Sequence, residues 1–127
     1  MDIIRPVTVT DSVLTSSNIT EDDYAEWASG TTYVTGNKVI VLSTHRIYES
    51  LIDANTGNDP TTDDGTKWLD IGATNRWKAF DQKISDPVSS TGTIEYELTS
   101  ADTNITAVAL FGLQGSEATV IGTDTGG

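Results

Sequence analysis

Cysteine is absent from the 127-residue chain, which excludes a disulfide framework, a thiolate metal site and thiol catalysis. Basic residues are scarce: seven Lys and Arg stand against nineteen Asp and Glu, for a net charge of -12. A field of that sign repels a phosphate backbone, so nucleic acid is not expected as a partner. No apolar run approaches the roughly 20 residues that a membrane-spanning helix needs, and no membrane insertion is expected. The start, "MDIIRPVTVTDSVL", has one Arg, Pro6 and no continuous apolar stretch, and so lacks the pattern of a secretory signal. Synthesis in the cytoplasm is expected, with any export occurring as part of a particle. Long helix-forming stretches are also missing.

What remains is rich in Gly, Thr, Ser and Asp, the composition of an all-β chain with many turns. Three segments follow from the pattern. Residues 1–23 form a lead-in, with an edge strand in "IIRPVTVT" that puts Val7 and Val9 on one side. Thr20 is placed to cap a short helical turn, with Asp23 three positions on. Residues 24–75 contain compact β signals: "TTYVTGNKVIVLSTHRIYESLI" has a Gly-Asn turn at 36–37 and a polar "STHR" turn, and "KWLDIG" closes a three-stranded meander. Residues 76–127 begin with a connector and continue into three strands, "TIEYELT", "TAVALFGL" and "ATVIGT", read as part of an antiparallel β-sandwich. The run from Ala107 to Leu113 is apolar on both faces and belongs inside a sandwich. Three strands cover it poorly, so either the sandwich continues beyond this chain or neighbouring subunits complete it.

Large aromatics concentrate in the middle segment. Trp27, Tyr33, Gly36, Val39, Tyr48, Pro60 and Trp68 follow in order: a Trp, six residues on a Tyr, then Gly-x-x-Val, a strand-ending Tyr, a Pro loop and a closing Trp. This resembles the small carbohydrate-binding modules of families five and twelve over residues 24 to 72. A unit of about fifty residues has too little aliphatic volume for a core, so its aromatics must supply buried area. Tyr48 and Trp68 are accordingly read as structural core. The resemblance implies sugar binding through exposed aromatic faces, with Tyr24, Trp27, Tyr33 and Trp77 as the candidates. At the positions four and five after the strand-ending Tyr, where the modules carry a stacking aromatic, this chain has Ile52 and Asp53. The module type also resembles one found in tail, fibre and neck proteins of tailed bacteriophages, and "AVALFGL" is similar to part of the sandwich that follows it there. The resemblance implies a virion protein that partners other virion proteins, forms homo-oligomers and contacts a bacterial surface glycan. A general extracellular adhesion module is the third alternative.

Candidates for other chemistry are few. His45, the single histidine, sits in "LSTHRIY", where a solvated turn residue is expected. Ser43 and Thr44 adjoin it, but adjacency in sequence does not make a nucleophile–base pair. The pairs Asp22–Asp23 and Asp63–Asp64 have the side chains for glycosidic acid/base work, yet so short a chain offers little for a substrate cleft, and no enzyme activity is expected. "DANTGNDPTTDDGTKW" invites a calcium reading. Counted from Asp53 as an EF-hand loop, it has Gly57 where a ligand belongs and Asn58 where the glycine belongs. An irregular cation site from Asp53, Asn55 and Asp59 is the remaining metal alternative, beside a simple series of Asx and glycine turns. No cofactor is expected.

Overall fold

Val, Ile and Tyr dominate two runs that pair as the centre of the fold: β3 (Lys38–Val41) and β4 (Arg46–Ser50). The structure is a computed structural model and describes residues 7–83, 85–100 and 107–123. It is all-β: the other strands are β1 (Leu14–Ser17), β2 (Thr32–Tyr33), β5 (Asn55–Thr56), β6 (Trp68–Ala73) and β7 (Tyr96–Leu98). Among the described residues the helical content is a single 3-10 turn at Lys78–Phe80.

β3, β4 and β6 form the antiparallel meander. Val39 lies opposite Tyr48, and Ser50 opposite Trp68. The period of two therefore gathers Val39, Tyr48 and Trp68 on one face, where they bury Tyr33 of β2 between them. The Tyr33 and Trp68 rings meet edge to face, centroids 5.2 Å apart. Ile40 pairs with Ile47, and both point to the other face, where they are also buried. The turn into β3 is centred on Thr35–Gly36, one residue earlier than the Gly-Asn pair expected. Asn37 N–H donates to Val34 C=O, and Gly36 takes the positive φ of 87° that the third position of such a turn requires. The β3–β4 turn occupies 42–45 and ends on His45 at φ 55°.

β1 and β7 form a separate antiparallel pair that joins the lead-in to the third segment, with a bulge at Thr15. Beneath them a second cluster holds Leu14, Ala73 and Trp77, packed by Val9, Phe80 and Tyr96. Trp77, Phe80 and Tyr96 contact one another in edge-to-face sequence. The lead-in, the last meander strand and the connector thus share one core.

Three local expectations are corrected. The strand expected in "IIRPVTVT" is absent from 7–10, residues 1–6 lying outside the described set. The chain turns just after it, at 11–13, where Thr10 C=O accepts from Val13 and Leu14 N–H, and the strand begins at Leu14. The helical turn at 20–23 does not form. Thr20 Oγ1 donates to Asp22, and Asp23 reaches 52 residues along the chain to accept from Asn75 N–H. Both short polar side chains prefer partners other than the helix terminus. Finally, of the strands expected in "TIEYELT", "TAVALFGL" and "ATVIGT", the first appears as β7, while 107–123 carry no strand. A strand apolar on both faces needs a ladder partner and cover on two sides, and no described element provides them.

Tyr96 supplies a prediction. Its hydroxyl donates to Arg76 C=O at 2.8 Å, and burial pushes the phenol up to about 12, against the opposing charge of Arg76. Below the ordinary tyrosine value of about 10 the folded and unfolded states are both neutral there, and nothing is lost. Above it the unfolded chain ionises while the folded one does not, so stability falls as pH rises from 10 through 12. Urea unfolding at pH 9 and pH 11 measures this. Tyr96→Phe is expected to be less stable at pH 9, through the lost hydrogen bond, but to show a smaller decline between the two.

Candidate functional site

Asp53, Asn55 and Asp59, the cation candidates, are spent on folding the loop between β4 and β6. Asp53 Oδ1 accepts from Thr35 N–H, and Asp59 Oδ1 from the backbone and hydroxyl of Thr61. Asn55 is fully buried: its amide donates to Ser50 Oγ and Lys67 C=O, and its oxygen accepts from Asn58 Nδ2. Each side chain replaces a missing backbone partner in an irregular loop, which is why the stretch is dense in Asp and Asn. Among the described residues no group of three or more His, Asp or Glu is set to hold a metal ion.

Asp63 does similar work. One of its oxygens accepts from the N–H groups of Gly65, Lys67 and Trp68. Burial pushes its carboxyl up, but these three N–H donors outweigh it and hold the group below the usual carboxylate range. Asp64 accepts from Thr66. Neither pair of adjacent aspartates therefore points two carboxyl groups at a common space.

The four aromatics expected to make a sugar-stacking face are not brought together. Trp27 packs beside Tyr33 against the first cluster, while Trp77 belongs to the second. Tyr33 is buried, with its hydroxyl accepting from Ala28 N–H, and Trp77 is 9% exposed. Trp27 is half-buried, with an indole nitrogen that has no hydrogen-bond partner. Tyr24 alone of the four is exposed, its ring 5.8 Å from the Lys38 ammonium. Tyr48 and Trp68 are both buried in the first cluster.

The densest polar constellation lies elsewhere, around Glu21. Its side chain is 11% exposed and accepts from three donors: His45 Nδ1 at 3.0 Å, Thr74 Oγ1 at 2.7 Å and the Trp77 indole N–H at 3.1 Å. His45 also presents Nε2 to Asp11 at 3.0 Å and stacks on Trp77, centroids 4.1 Å apart. Its backbone carbonyl accepts from Thr74 N–H. The turn thus places His45 in the left-handed region, where histidine is tolerated better than most residues, and directs its ring inward. His45 is therefore not the solvated residue the sequence suggested. With both nitrogens so engaged, neither meets the hydroxyl of Ser43 or Thr44, and Thr44 Oγ1 donates to Val41 C=O instead.

The arrangement fits a tie between segments better than a reaction centre. Asp11 and Glu21 come from the lead-in, on either side of β1, His45 from the meander, and Thr74 and Trp77 from the chain after β6. Sequence reasoning passed over Glu21, Thr74 and the His45 contacts because the partners are 24 to 56 residues apart. Compared with protein-family models, with curated proteins and with solved structures, the chain has no match in any of the three.

Proposed function

We propose that the chain is a structural module of a tailed-bacteriophage particle, positioned at a tail or neck joint and held there by contacts of residues 107–121 with neighbouring subunits. The observation that carries this reading is the exposure of an apolar segment. Val108, Leu110, Phe111, Leu113, Val120 and Ile121 are exposed, Phe111 and Ile121 by 81% and 80%. Apolar surface concentrated in this way marks an interaction site more often than a free surface, and the two-faced apolar pattern of 107–113 suits a strand covered on both sides. The phage assignment rests on the resemblance of residues 24–72 and of "AVALFGL" to virion modules. The module supplies no chemistry of its own and works by being a rigid joint. Recognition of bacterial surface polysaccharide is the rival reading. The burial of Tyr33 and Trp77 favours the structural one, because a ring in the core offers no face to a sugar.

Light scattering of the full chain provides the test. Species larger than the 13.6 kDa monomer are expected, and Phe111→Asp combined with Ile121→Asp is expected to weaken association by about 2 kcal/mol or more while leaving the β signal in circular dichroism unchanged. A monodisperse monomer at every concentration contradicts the reading.

A further inference from the structure

We propose that the groove beside His45 is a docking site for a basic side chain, a lysine or arginine carried by a partner protein. The inference stands on the groove alone and does not depend on the virion reading.

The groove has a volume of about 330 Å3, the lower end of the range for small-ligand sites, and suits one side chain better than an extended ligand. Val9, Ala73, Trp77 and Phe80 give it an apolar wall, and Asp11 and Asp81 are the carboxylates that line it. An apolar wall with acid beside it matches a basic side chain, whose methylene stem is apolar and whose head is charged. The aromatic rings of Trp77 and Phe80 add a favourable surface for a cation.

The charges at the groove exclude an anion. Both cationic or potentially cationic groups that line it are already engaged. Arg46 donates to both oxygens of Asp70 at 2.6 to 3.0 Å, and His45 lies between Glu21 and Asp11. Donating its hydrogen bonds to Asp70 raises the Arg46 guanidinium above its ordinary value, and Asp81 adds to this through space. Asp11 and Asp81 thus line the groove beside one guanidinium and one imidazole, and Asp70 and Glu21, outside the lining, pair with those two groups.

Asp81 is the group left over. Its Oδ1 accepts from Lys83 N–H at 2.9 Å, while its Oδ2 is buried without a hydrogen-bond partner. Oδ2 is enclosed, and what Asp81 offers a docked cation is its charge, since among the described residues it enters no ion pair. The net charge of -12 further steers a basic partner toward this chain.

The test is a titration of the full chain with Nα-acetyl-lysine amide and Nα-acetyl-arginine amide, followed by the NMR signal of the Trp77 indole N–H. Nα-acetyl-norleucine amide and N-acetylglucosamine serve as the neutral apolar and sugar controls. Saturable shifts are expected with both cations, at dissociation constants on the order of 1 mM, as befits a single small side chain. Binding is expected to weaken at least about tenfold for norleucine, in Asp81→Asn, and for the unaltered protein at 1 M salt. The salt arm needs no variant and decides the matter should Asp81→Asn fail to fold. Equal binding of lysine and norleucine overturns the proposal in favour of a purely apolar crevice. A response to the sugar with silence toward the cations overturns it in favour of a glycan site, and the absence of any saturable shift overturns it outright.

Discussion

Trp68→Ala is expected to unfold the meander or bring it to the edge of unfolding. Trp68 is 2% exposed and closes the aromatic cluster against Tyr33, Val39 and Tyr48. Truncating a buried Trp to Ala costs about 3–5 kcal/mol, part lost transfer energy and part the cavity left behind. Domains of this size have about 5–15 kcal/mol in total, so the loss is a large fraction of what holds the fold together. One further effect adds to it. The indole N–H donates to Asn58 C=O at 2.9 Å. The same side chain therefore fixes the end of the long acidic loop. A fall in melting temperature of roughly 10–20 °C is expected, with the denaturation midpoint moving to match. Trp68→Phe separates the two contributions: it keeps most of the ring area but leaves Asn58 C=O short of its donor, for a cost of about 1–3 kcal/mol. A loss below about 1 kcal/mol for Trp68→Ala contradicts this account of the core.

The meander was legible in the sequence because its signals are local. Alternation in "KVIV" and "RIYES", a glycine at the turn, and aromatics spaced to share a face all lie within a few residues of where they act. The role of most of the acidic stretch was legible for the same reason: Asp before Thr or Gly at short spacing is a turn signal, and Asp59, Asp63 and Asp64 are used in that way, while Asp53 instead holds Thr35 N–H, 18 residues back. Failures came where an element depends on a distant partner. "TAVALFGL" has the composition of a buried strand, but a strand is defined by its ladder, and composition does not supply the neighbour. Thr20 and Asp23 have the spacing of a helix cap, yet Asp23 is taken by the backbone of Asn75. His45 illustrates the point most sharply. A turn histidine is ordinarily solvated, and only the packing of the lead-in and of the chain after β6 around it turns the ring inward onto Glu21 and Trp77.

Glu21→Ala is expected to be the most damaging single change outside the aromatic core. It removes the common acceptor of His45, Thr74 and Trp77. Thr74 is fully buried and its hydroxyl retains only a long contact to His45 C=O at 3.4 Å, while the Trp77 indole N–H is left with no other described acceptor. Breaking a buried charge-assisted arrangement by removing one partner costs about 3–5 kcal/mol, most of it the penalty on the groups left behind. Glu21→Gln keeps one acceptor but aims an amide donor at groups that are themselves donors, so about 1–3 kcal/mol is expected. Asp11→Ala is the internal control. It also deletes a carboxylate from His45, at the same 3.0 Å, but the Asp11 side chain is 80% exposed, and exposed pairs contribute little. Its cost should stay within about 1 kcal/mol. Urea unfolding of the three variants measures the ranking, and a cycle combining Glu21→Ala with His45→Ala should return a coupling of about 0.5–3 kcal/mol. Equal losses for Glu21→Ala and Asp11→Ala contradict the assignment of Glu21 as the residue that ties the lead-in, the meander and the second core together. The expected inequality follows from burial and from the two further donors that only Glu21 serves, since the two carboxylates meet the same imidazole at the same distance.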